Sequence, residues 1–182
     1  MPRIYTRTGD DGTTGLLYGG RIPKSDLAAE AYGSVDETVA ALGVARAEAS
    51  GGPAETILRL QRELFVVGAD LATNPEEREK LQDEVSRVTP GMVEALERLI
   101  DETTARHPLP QEFIVPGSNR LSAALDLART LCRRAERRAV EMREGGREVS
   151  ADALRYLNRL SDLLFVLARE AGGADEAPSR TR

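Results

Sequence analysis

Apolar residues recur along most of this chain at the three- and four-residue spacing of an α-helix, and the pattern predicts five helices. It is clearest in the last two, where a helix turning about 100° per residue places the small and aliphatic side chains on one side. In the fourth helix this stripe consists of Leu121, Leu125, Ala128, Cys132, Ala135 and Ala139, and in the fifth of Ala153, Leu157, Leu160, Leu164 and Leu167. The predicted helices cover residues 26–49, 53–71, 90–105, 119–144 and 151–171.

Residues that start or stop helices bound these segments. Thr89, Ser118 and Ser150 are the expected N-caps of the third, fourth and fifth helices, because their hydroxyls can accept a hydrogen bond from the first turn. Gly145 and Gly146 are expected to end the fourth helix, and three prolines within residues 106–118 require a loop before it. Five helices with short connections predict an all-α fold, a five-helix bundle.

The chain divides into one predicted domain and two polar ends. With 182 residues and no long linker or internal repeat, residues 1–171 are expected to form a single domain. Residues 1–24 are a glycine- and threonine-rich arm ahead of the first helix, and the glycine-rich residues 172–182 are predicted to be a disordered tail. Aromatic residues make up only 4% of the chain, so the core must consist mainly of leucine, alanine and valine.

Composition excludes several classes of function. No apolar run reaches the roughly 20 residues of a membrane span, and the N-terminus lacks an apolar signal segment. The single cysteine, Cys132, excludes an internal disulfide and fits a reducing compartment, so we expect a cytoplasmic protein. The single histidine, His107, excludes a multi-histidine metal site, and a formal net charge of -5 argues against nucleic acid as the main partner.

Charged residues of the fourth helix follow one edge of its apolar stripe. This edge strip contains Asp126, Arg129, Arg133, Glu136 and Arg137. Arg134 and Arg138 point away from the core. Guanidinium groups on the strip could form surface salt bridges, which stabilise a helix little, or bind a polyphosphate through paired hydrogen bonds. The strip lies where the helix meets a neighbour, with Glu136 placed to hold a guanidinium, and this position favours a phosphate partner.

Five other polar or aromatic positions carry weaker signals. Asn158 lies inside the fifth helix despite its poor helix propensity, so it is solvated, pairs with a neighbouring helix or contacts a ligand. Asp36 and Glu37 point about 100° apart and cannot share a proton, but one of them could pair with an arginine of another helix or subunit. Phe113, in the proline-bounded loop, is either a core plug or a ligand contact, and His107 is interpreted as a surface residue.

The N-terminal arm matches neither of the two common glycine-rich nucleotide loops. Its closely spaced backbone N–H groups, its threonine hydroxyls and Lys24 are nevertheless the parts of an anion-binding cradle. Asp10 and Asp11 would repel phosphate unless Mg²⁺ or an arginine lies between, or unless they cap backbone amides. The arm alone therefore does not distinguish a phosphate cradle from a flexible end.

Several blocks of sequence, in order and from Ile4 to Arg169, resemble the PduO-type ATP:cob(I)alamin adenosyltransferases. The blocks are "IYTRTGDDGTTGL" followed by "RIPKSD", then "YGSVDE", "LQRELFVVGADLAT", "FIVPGS", "ARTLCRRAERR" and "YLNRLSDLLFVLAR". The resemblance implies a five-helix bundle that assembles as a homotrimer with active sites between subunits. It also implies transfer of the 5′-deoxyadenosyl group of ATP to the cobalt of cob(I)alamin, with release of triphosphate.

The resemblance further implies which residues bind ATP. On the helices, Arg133 and Arg137 match the arginines that contact ATP, with Glu136 between them, and Asn158 matches an asparagine that contacts the nucleotide. Lys24 is expected on the phosphates. The arm residues expected to wrap the nucleotide are Thr6, Arg7, Thr8, Gly9, Thr14 and Gly15. Mg²⁺ is expected to enter with ATP through its phosphates, without a metal site on the protein.

The cobalamin side of the implied site has four residues. Asp36 and Arg129 match a pair that bridges the subunit interface beside the cobalamin. Phe113 matches a loop phenylalanine that blocks the lower face of the corrin, and Phe165 matches an apolar contact on that face. Together with Arg133, the residues Arg129, Asp36 and Phe113 are the expected catalytic residues. The chain departs from the family where Asp126 replaces a frequent histidine, and this carboxylate could compete with Asp36 for Arg129.

Further partners follow from the same resemblance. The protein is expected to bind cob(II)alamin before its reduction and to meet a reductase and an adenosylcobalamin-dependent enzyme, with no nucleic acid or membrane involved. The alternative is a non-catalytic carrier or sensor that binds ATP or cobalamin without turnover. An assay for triphosphate release separates these two functions.

Overall fold

The computed structural model describes residues 4–180, and most of them lie in five α-helices. These are α1 (Leu27–Glu48), α2 (Gly51–Leu71), α3 (Pro90–Arg106), α4 (Arg120–Glu144) and α5 (Ala151–Gly172). Two short 3-10 helices, Pro75–Lys80 and Gly173–Asp175, lie between α2 and α3 and directly after α5. The predicted all-α fold is confirmed. No helix of residues 4–180 is both long and apolar enough to cross a membrane.

Side-chain caps fix where three of the helices begin. Asp26 and Ser150 accept hydrogen bonds from backbone N–H groups in the first turns of α1 and α5, at 2.9 and 3.3 Å. For α4 the prediction is wrong, because Asn119 and not Ser118 is the N-cap. The Asn119 side chain accepts from the Ser122 N–H at 2.9 Å, and the Ser122 hydroxyl accepts from the Asn119 N–H at 3.2 Å. This reciprocal capping box depends on a spacing of three residues, which Ser118 does not have to Ser122.

The helices pack side by side in the order α2, α1, α4, α5, α3. Arg147, just after α4, forms an ion pair with Asp26, just before α1, so these two helices run antiparallel. At the other side of the bundle, Arg159 of α5 reaches Glu97 of α3 with Nε 2.8 Å from Oε1. Consequently α4 lies between α1 and α5, and the arginine strip of α4 lies near the junction with α5.

Leucine, alanine and valine dominate the core, as the composition predicts. Its largest fully buried side chains include Leu42, Leu60, Leu64, Leu157, Leu160, Leu164 and Tyr156. The Tyr156 hydroxyl donates a hydrogen bond of 2.6 Å to the Glu63 carboxylate, so this buried polar group is satisfied. Burial, together with the nearby Glu63 charge, raises the pKa of Tyr156 well above its ordinary value.

A buried carboxylate fastens the charged connection between α2 and α3. Asp70 is fully buried, with Oδ1 2.8 Å from Arg78 Nη2 and Oδ2 accepting from the Val88 N–H at 3.1 Å. Thr89 then occupies the predicted N-cap position of α3, although its side chain makes no capping hydrogen bond. Because a buried charge requires a partner, Asp70 fixes the connection at the end of the bundle where the N-terminal arm docks.

Both polar ends of the chain form small hairpins. In the arm, β1 (Thr13–Gly15) pairs antiparallel with β2 (Arg21–Pro23). Near the C-terminus, β4 (Ala177–Pro178) pairs antiparallel with β3 (Ile114–Val115), which lies in the loop before α4. The tail was predicted to be disordered, but residues 172–180 contain a 3-10 helix and this strand because they pair with that loop. The parts of the arm and tail predictions that concern residues 1–3 and 181–182 lie outside the described residues.

Candidate active site

A groove of about 480 Å³ lies where α5 meets α3 and α4. Arg129 and Arg133 of α4 line it together with Arg159 and Phe165 of α5 and Glu97 of α3. The three guanidinium groups and the aromatic ring thus border one concave surface. Such a surface can hold anionic groups by paired hydrogen bonds and a flat apolar group against the ring.

The arginines of α4 have different surroundings. Arg133 and Arg137 are exposed, and Arg137 Nη1 donates to the Arg133 carbonyl at 3.1 Å. Arg134 forms an ion pair with Glu37 of α1, and Arg138 forms one with Glu141 of its own helix at 2.7 Å. The described ion pairs therefore involve Arg134 and Arg138, which were predicted to point away from the core. Arg133 and Arg137, the candidates for phosphate binding, lie at the surface, and Arg133 lines the groove.

Asn158 is the centre of a polar chain across α3, α4 and α5. Its Nδ2 donates to Glu136 at 3.0 Å, and its Oδ1 accepts from Arg159 Nη1 at 2.8 Å. Arg159 also donates to Glu97 at 2.8 Å. Glu136 was predicted to hold a guanidinium, but it accepts from this amide instead because α5 brings Asn158 within reach. Asn158 therefore pairs with a neighbouring helix, and its contact with the nucleotide stays a prediction.

Arg129 and Phe165 belong to a second cluster, next to the first. The Asp126 Oδ1 lies 3.5 Å from Arg129 Nε, while its Oδ2 accepts from Arg169 near the end of α5. The Phe165 ring lies between two guanidinium groups, with its centroid 6.0 Å from Arg129 Cζ and 5.3 Å from Arg169 Cζ. Both contacts fall within the range of cation–π attraction. Asp126 does contact Arg129, as the sequence suggested, but its hydrogen bond goes to Arg169.

Phe113 lies in the open. Its side chain is 86% exposed, so it does not plug the core of this chain. The backbone around it is held by the C-terminal residues, since the Ser179 N–H donates to the Phe113 carbonyl at 2.7 Å. The sequence left two interpretations of Phe113, a core plug or a ligand contact. Contact with a ligand or a partner explains an exposed phenylalanine better than core packing does.

The N-terminal arm is held together by its own polar groups. The Asp11 carboxylate accepts from the Thr13 hydroxyl at 2.7 Å and from the Thr13 N–H at 2.9 Å. These hydrogen bonds favour the ionised carboxyl and lower the pKa of Asp11. Arg21 donates to the Thr13 hydroxyl at 2.9 Å and to the Thr8 carbonyl, and Lys24 Nζ donates to the Gly9 carbonyl at 2.8 Å. Asp11 thus caps a backbone amide. Such capping is one of the conditions, expected from the sequence, under which this carboxylate does not repel phosphate from the arm.

The arm docks at the end of α2 and on the connection between α2 and α3. The Leu17 N–H donates to the Ala72 carbonyl at 2.9 Å, and the Asn74 N–H donates to the Leu17 carbonyl at 3.1 Å. The Tyr18 hydroxyl lies 3.2 Å from the Ser86 hydroxyl. These partners belong to the end of α2 and the connection that follows, whereas the groove is formed by α3, α4 and α5.

Within residues 4–180 no group of three or more histidine, cysteine, aspartate or glutamate side chains is placed to hold a metal ion. The Cys132 thiol is fully buried and donates to the Leu157 carbonyl at 3.3 Å. Burial raises the pKa of this thiol, so it stays protonated and is a poor ligand.

Comparison with known proteins decides the family. The family described as cobalamin adenosyltransferase matches residues 4–171. The chain belongs to this family. The corrinoid adenosyltransferase of Citrobacter freundii is 45% identical over 172 residues, which is 93% of this chain and 94% of that protein. The corrinoid adenosyltransferase of Bacillus subtilis is 42% identical over 172 residues, which is 92% of this chain and 85% of that protein.

Solved structures of the family agree with the fold. A phenylalanine-to-histidine variant of the PduO-type ATP:corrinoid adenosyltransferase from Lactobacillus reuteri, complexed with cobalamin and ATP, superposes with a TM-score of 0.83. It is 33% identical to this chain, and the match covers 93% of this chain and 91% of that one. The resemblance inferred from the sequence blocks is thereby confirmed.

In this cobalamin adenosyltransferase the residues expected to form one site fall into separate groups. Arg129, Arg133 and Phe165 line the groove, and the Asn158–Glu136 pair lies next to it. Phe113 stands on the loop before α4, and Asp36 is exposed on α1. The arm, with Thr6, Arg7, Thr8, Gly9, Thr14, Gly15 and Lys24, forms the third group at the end of α2.

Sequence reasoning missed two residues of this region, Arg169 and Glu176. Arg169 follows Phe165 by four positions, so helical spacing alone could have placed it on the same face. Glu176 lies beyond α5 in the predicted tail, and its contact with Arg169 depends on the way the chain turns back over the helix. A pattern along the chain carries no signal for such a turn.

Proposed function

We propose that this protein transfers the 5′-deoxyadenosyl group of ATP to the cobalt of cob(I)alamin and releases triphosphate. The observation that carries the proposal is the shared groove of Arg129, Arg133 and Phe165 in a chain of the cobalamin adenosyltransferase family. One substrate is a polyanion that suits guanidinium groups, and the other is a large flat ring that suits an aromatic face. The groove offers both kinds of contact.

The reaction needs orientation more than it needs an added nucleophile. Cobalt(I) donates an electron pair to C5′ of ATP, so that the cobalt–carbon bond forms as the bond between C5′ and the triphosphate oxygen breaks. The chemistry of attack belongs to the corrinoid. The protein must hold C5′ in line with the cobalt, which is the contribution we assign to the arm and to Asn158 on the nucleotide.

The departing triphosphate requires positive charge. We assign this task to Arg133 and Arg137, with Lys24 from the arm on the phosphates. Support comes from the exposure of Arg133 and Arg137, since the described hydrogen bond of Glu136 joins it to Asn158 and not to either guanidinium. Mg²⁺ bound to the phosphate oxygens of ATP would add positive charge there.

Phe113 is assigned to the lower face of the corrin. An exposed aromatic ring on a hydrogen-bonded loop is suited to press against a flat ligand and to exclude water or an axial base from the cobalt. Removal of that axial ligand makes the reduction of cob(II)alamin easier, because the added electron enters an orbital that the ligand raises in energy. Phe165 would add a second apolar contact on the same face.

We further propose that the protein works as a homotrimer with its sites between subunits. Support comes from the described hydrogen bonds and ion pairs of residues 4–180, none of which joins the arm to the groove, whereas a neighbouring copy could bring its arm to the arginines of α4. Asp36, exposed on α1, would pair across the interface with Arg129, whose Nε has only a 3.5 Å contact to Asp126 within its own chain. A reductase and an adenosylcobalamin-dependent enzyme are the expected partners.

A turnover assay tests the proposed activity. Purified protein is mixed with Mg-ATP and chemically reduced cob(I)alamin, and the products are measured by the absorbance of adenosylcobalamin and by chromatography of the phosphates. We expect one triphosphate for each adenosylcobalamin formed. Binding of both substrates without triphosphate would contradict the proposal and would support a carrier or sensor.

A further inference from the structure

The C-terminal residues cross the end of the bundle as a strap. We define the strap as residues 173–179, which follow α5 and contain the 3-10 helix Gly173–Asp175 and β4. Inside it, the Glu176 side chain is only 9% exposed and its Oε1 lies 2.9 Å from Arg169 Nε. Glycine at position 172 leaves room for this side chain, since a Cβ there would lie 2.8 Å from Glu176 Cγ and 2.9 Å from its Cδ.

Arg169 lies between two buried carboxylates. Its own side chain is 4% exposed, and besides Glu176 it contacts Asp126 of α4, whose side chain is 5% exposed. Charged trios of this kind lose so much hydration that apolar replacements are often equally stable. Burial also raises the pKa of Glu176, even with Arg169 beside it. The trio therefore contributes more to fixing one arrangement of the strap than to stability.

On one side, the strap holds the loop of Phe113. Its strand β4 pairs with β3, which begins one residue after Phe113, and the Ser179 N–H donates to the Phe113 carbonyl at 2.7 Å. The Phe113 side chain, being 86% exposed, contributes little to holding its own loop. The position of this ring thus depends on the backbone hydrogen bonds that the strap provides.

On the other side, the same trio contacts the groove. Asp126 lies 3.5 Å from Arg129 Nε, and the Arg169 guanidinium faces the Phe165 ring with 5.3 Å between Cζ and the centroid. A shift of Arg169 would change the surroundings of both groove residues. Glu176 is therefore connected through Arg169 to the two residues assigned to the cobalamin side.

We propose that Glu176 is a positioning residue for the corrinoid. By its contact with Arg169 it docks the strap, and the docked strap holds Phe113 in register with Arg129 and Phe165. This inference rests on the proposed function, because that function assigns these three residues to the corrinoid. The effect is confined to the corrinoid half of the site, since the arm and Arg137 make no described contact with the strap in residues 4–180. Loss of Glu176 should weaken corrinoid binding and leave ATP binding unchanged.

Three substitutions disturb the strap in different ways. Glu176→Gln removes the charge and keeps the shape. Gly172→Ala keeps the charge but displaces the Glu176 side chain, and alanine suits the helical backbone at this position, where φ is -68°. Ser179→Pro removes the N–H donor to Phe113 at an exposed position, where the core is not affected. Asp175→Asn is the matched control, because it removes one negative charge from an exposed neighbour.

The measurements distinguish an effect on corrinoid binding from an effect on ATP binding. For the three strap variants we expect the KM for cob(I)alamin to rise about tenfold while the KM for ATP stays within about twofold of wild type. We also expect a smaller fraction of four-coordinate cob(II)alamin in the electron paramagnetic resonance spectrum of protein with Mg-ATP. Asp175→Asn should match wild type in all three quantities.

Two results would overturn the inference. One is a wild-type corrinoid KM and spectrum in both Glu176→Gln and Gly172→Ala. The other is an equal rise of both KM values in parallel with a lower melting temperature, which indicates a structural role alone. If the wild-type protein forms no adenosylcobalamin, the proposed function fails, but titration with cob(II)alamin still compares Glu176→Gln with Asp175→Asn. Equal dissociation constants there would also overturn the inference.

Discussion

Two arginines of α4, five residues apart, illustrate how local surroundings decide a role. The Arg138 guanidinium is 2.7 Å from Glu141, one turn away on the same helix. Arg133 lines the groove, and the described hydrogen bond at this residue uses its carbonyl rather than its side chain. An arginine already paired with a carboxylate has less to offer a phosphate, so the two side chains should differ in their effect on ATP chemistry.

Substitution of these arginines tests the assignment of the phosphate site. We expect Arg133→Ala to lower kcat/KM for adenosyl transfer by about 100-fold or more, because it removes charge from the departing triphosphate. Arg138→Ala should stay within about twofold of wild type, since it loses only an exposed ion pair. The rates are measured with chemically supplied cob(I)alamin, so that reduction does not limit them. Equal losses in the two variants would contradict a specific role for Arg133.

Helical periodicity predicts which of these residues share a face but not which groups they contact. It correctly placed Arg129, Arg133 and the core stripe of α4 on their sides of the helix. It could not reveal that Glu136 accepts from Asn158, because that hydrogen bond joins residues 22 positions apart on different helices. Contacts of this range depend on how α4 and α5 pack, and a single sequence without relatives carries no record of it.

At the scale of elements, the arm is a hairpin with an open first part. Lys24 and Leu16 donate backbone hydrogen bonds to Gly12 and Gly20 at 2.8 and 3.1 Å, which close the β1–β2 hairpin. Residues 6–9 precede this ladder and carry four of the expected ATP contacts. The sequence predicted an arm that wraps the nucleotide, and the hydrogen bonds show that its second part is held by contacts within the arm itself.

Hydrogen exchange with and without Mg-ATP distinguishes the two parts of the arm. We expect the amides of residues 6–9 to gain protection when ATP binds, because they would close over the nucleotide. The Leu16 and Lys24 amides should be protected in both states and serve as internal controls. Equal protection of residues 6–9 in the two states would show that they do not close on ATP.

The ends of elements were predictable only where a local rule sets them. Asp26, Ser150 and Pro90 mark the starts of three helices, and each acts within one turn of itself. The strand in the tail could not be predicted in this way. Residues 177–178 are ordered by pairing with residues 114–115, and composition alone made this glycine-rich segment look disordered.

At the scale of the whole molecule, the arm and the groove are the two parts of the proposed site, and no described hydrogen bond or ion pair of residues 4–180 joins them. The arm docks at the end of α2, and the groove lies between α3, α4 and α5. If ATP contacts both the arm and Arg133, a ring of copies in which each arm serves the next groove brings the halves together.

Mixed assemblies test whether each site is shared between copies. Lys24→Ala and Arg133→Ala should each be nearly inactive alone, since one lacks the arm cation and the other the groove cation. When the two are unfolded, mixed in equal amounts and refolded together, a shared site is intact wherever an Arg133→Ala copy supplies the arm and a Lys24→Ala copy supplies the groove. Random assembly then restores about a quarter of the wild-type rate. A site contained within one copy restores none, because every copy carries one of the two defects, and that outcome would refute the shared-site arrangement.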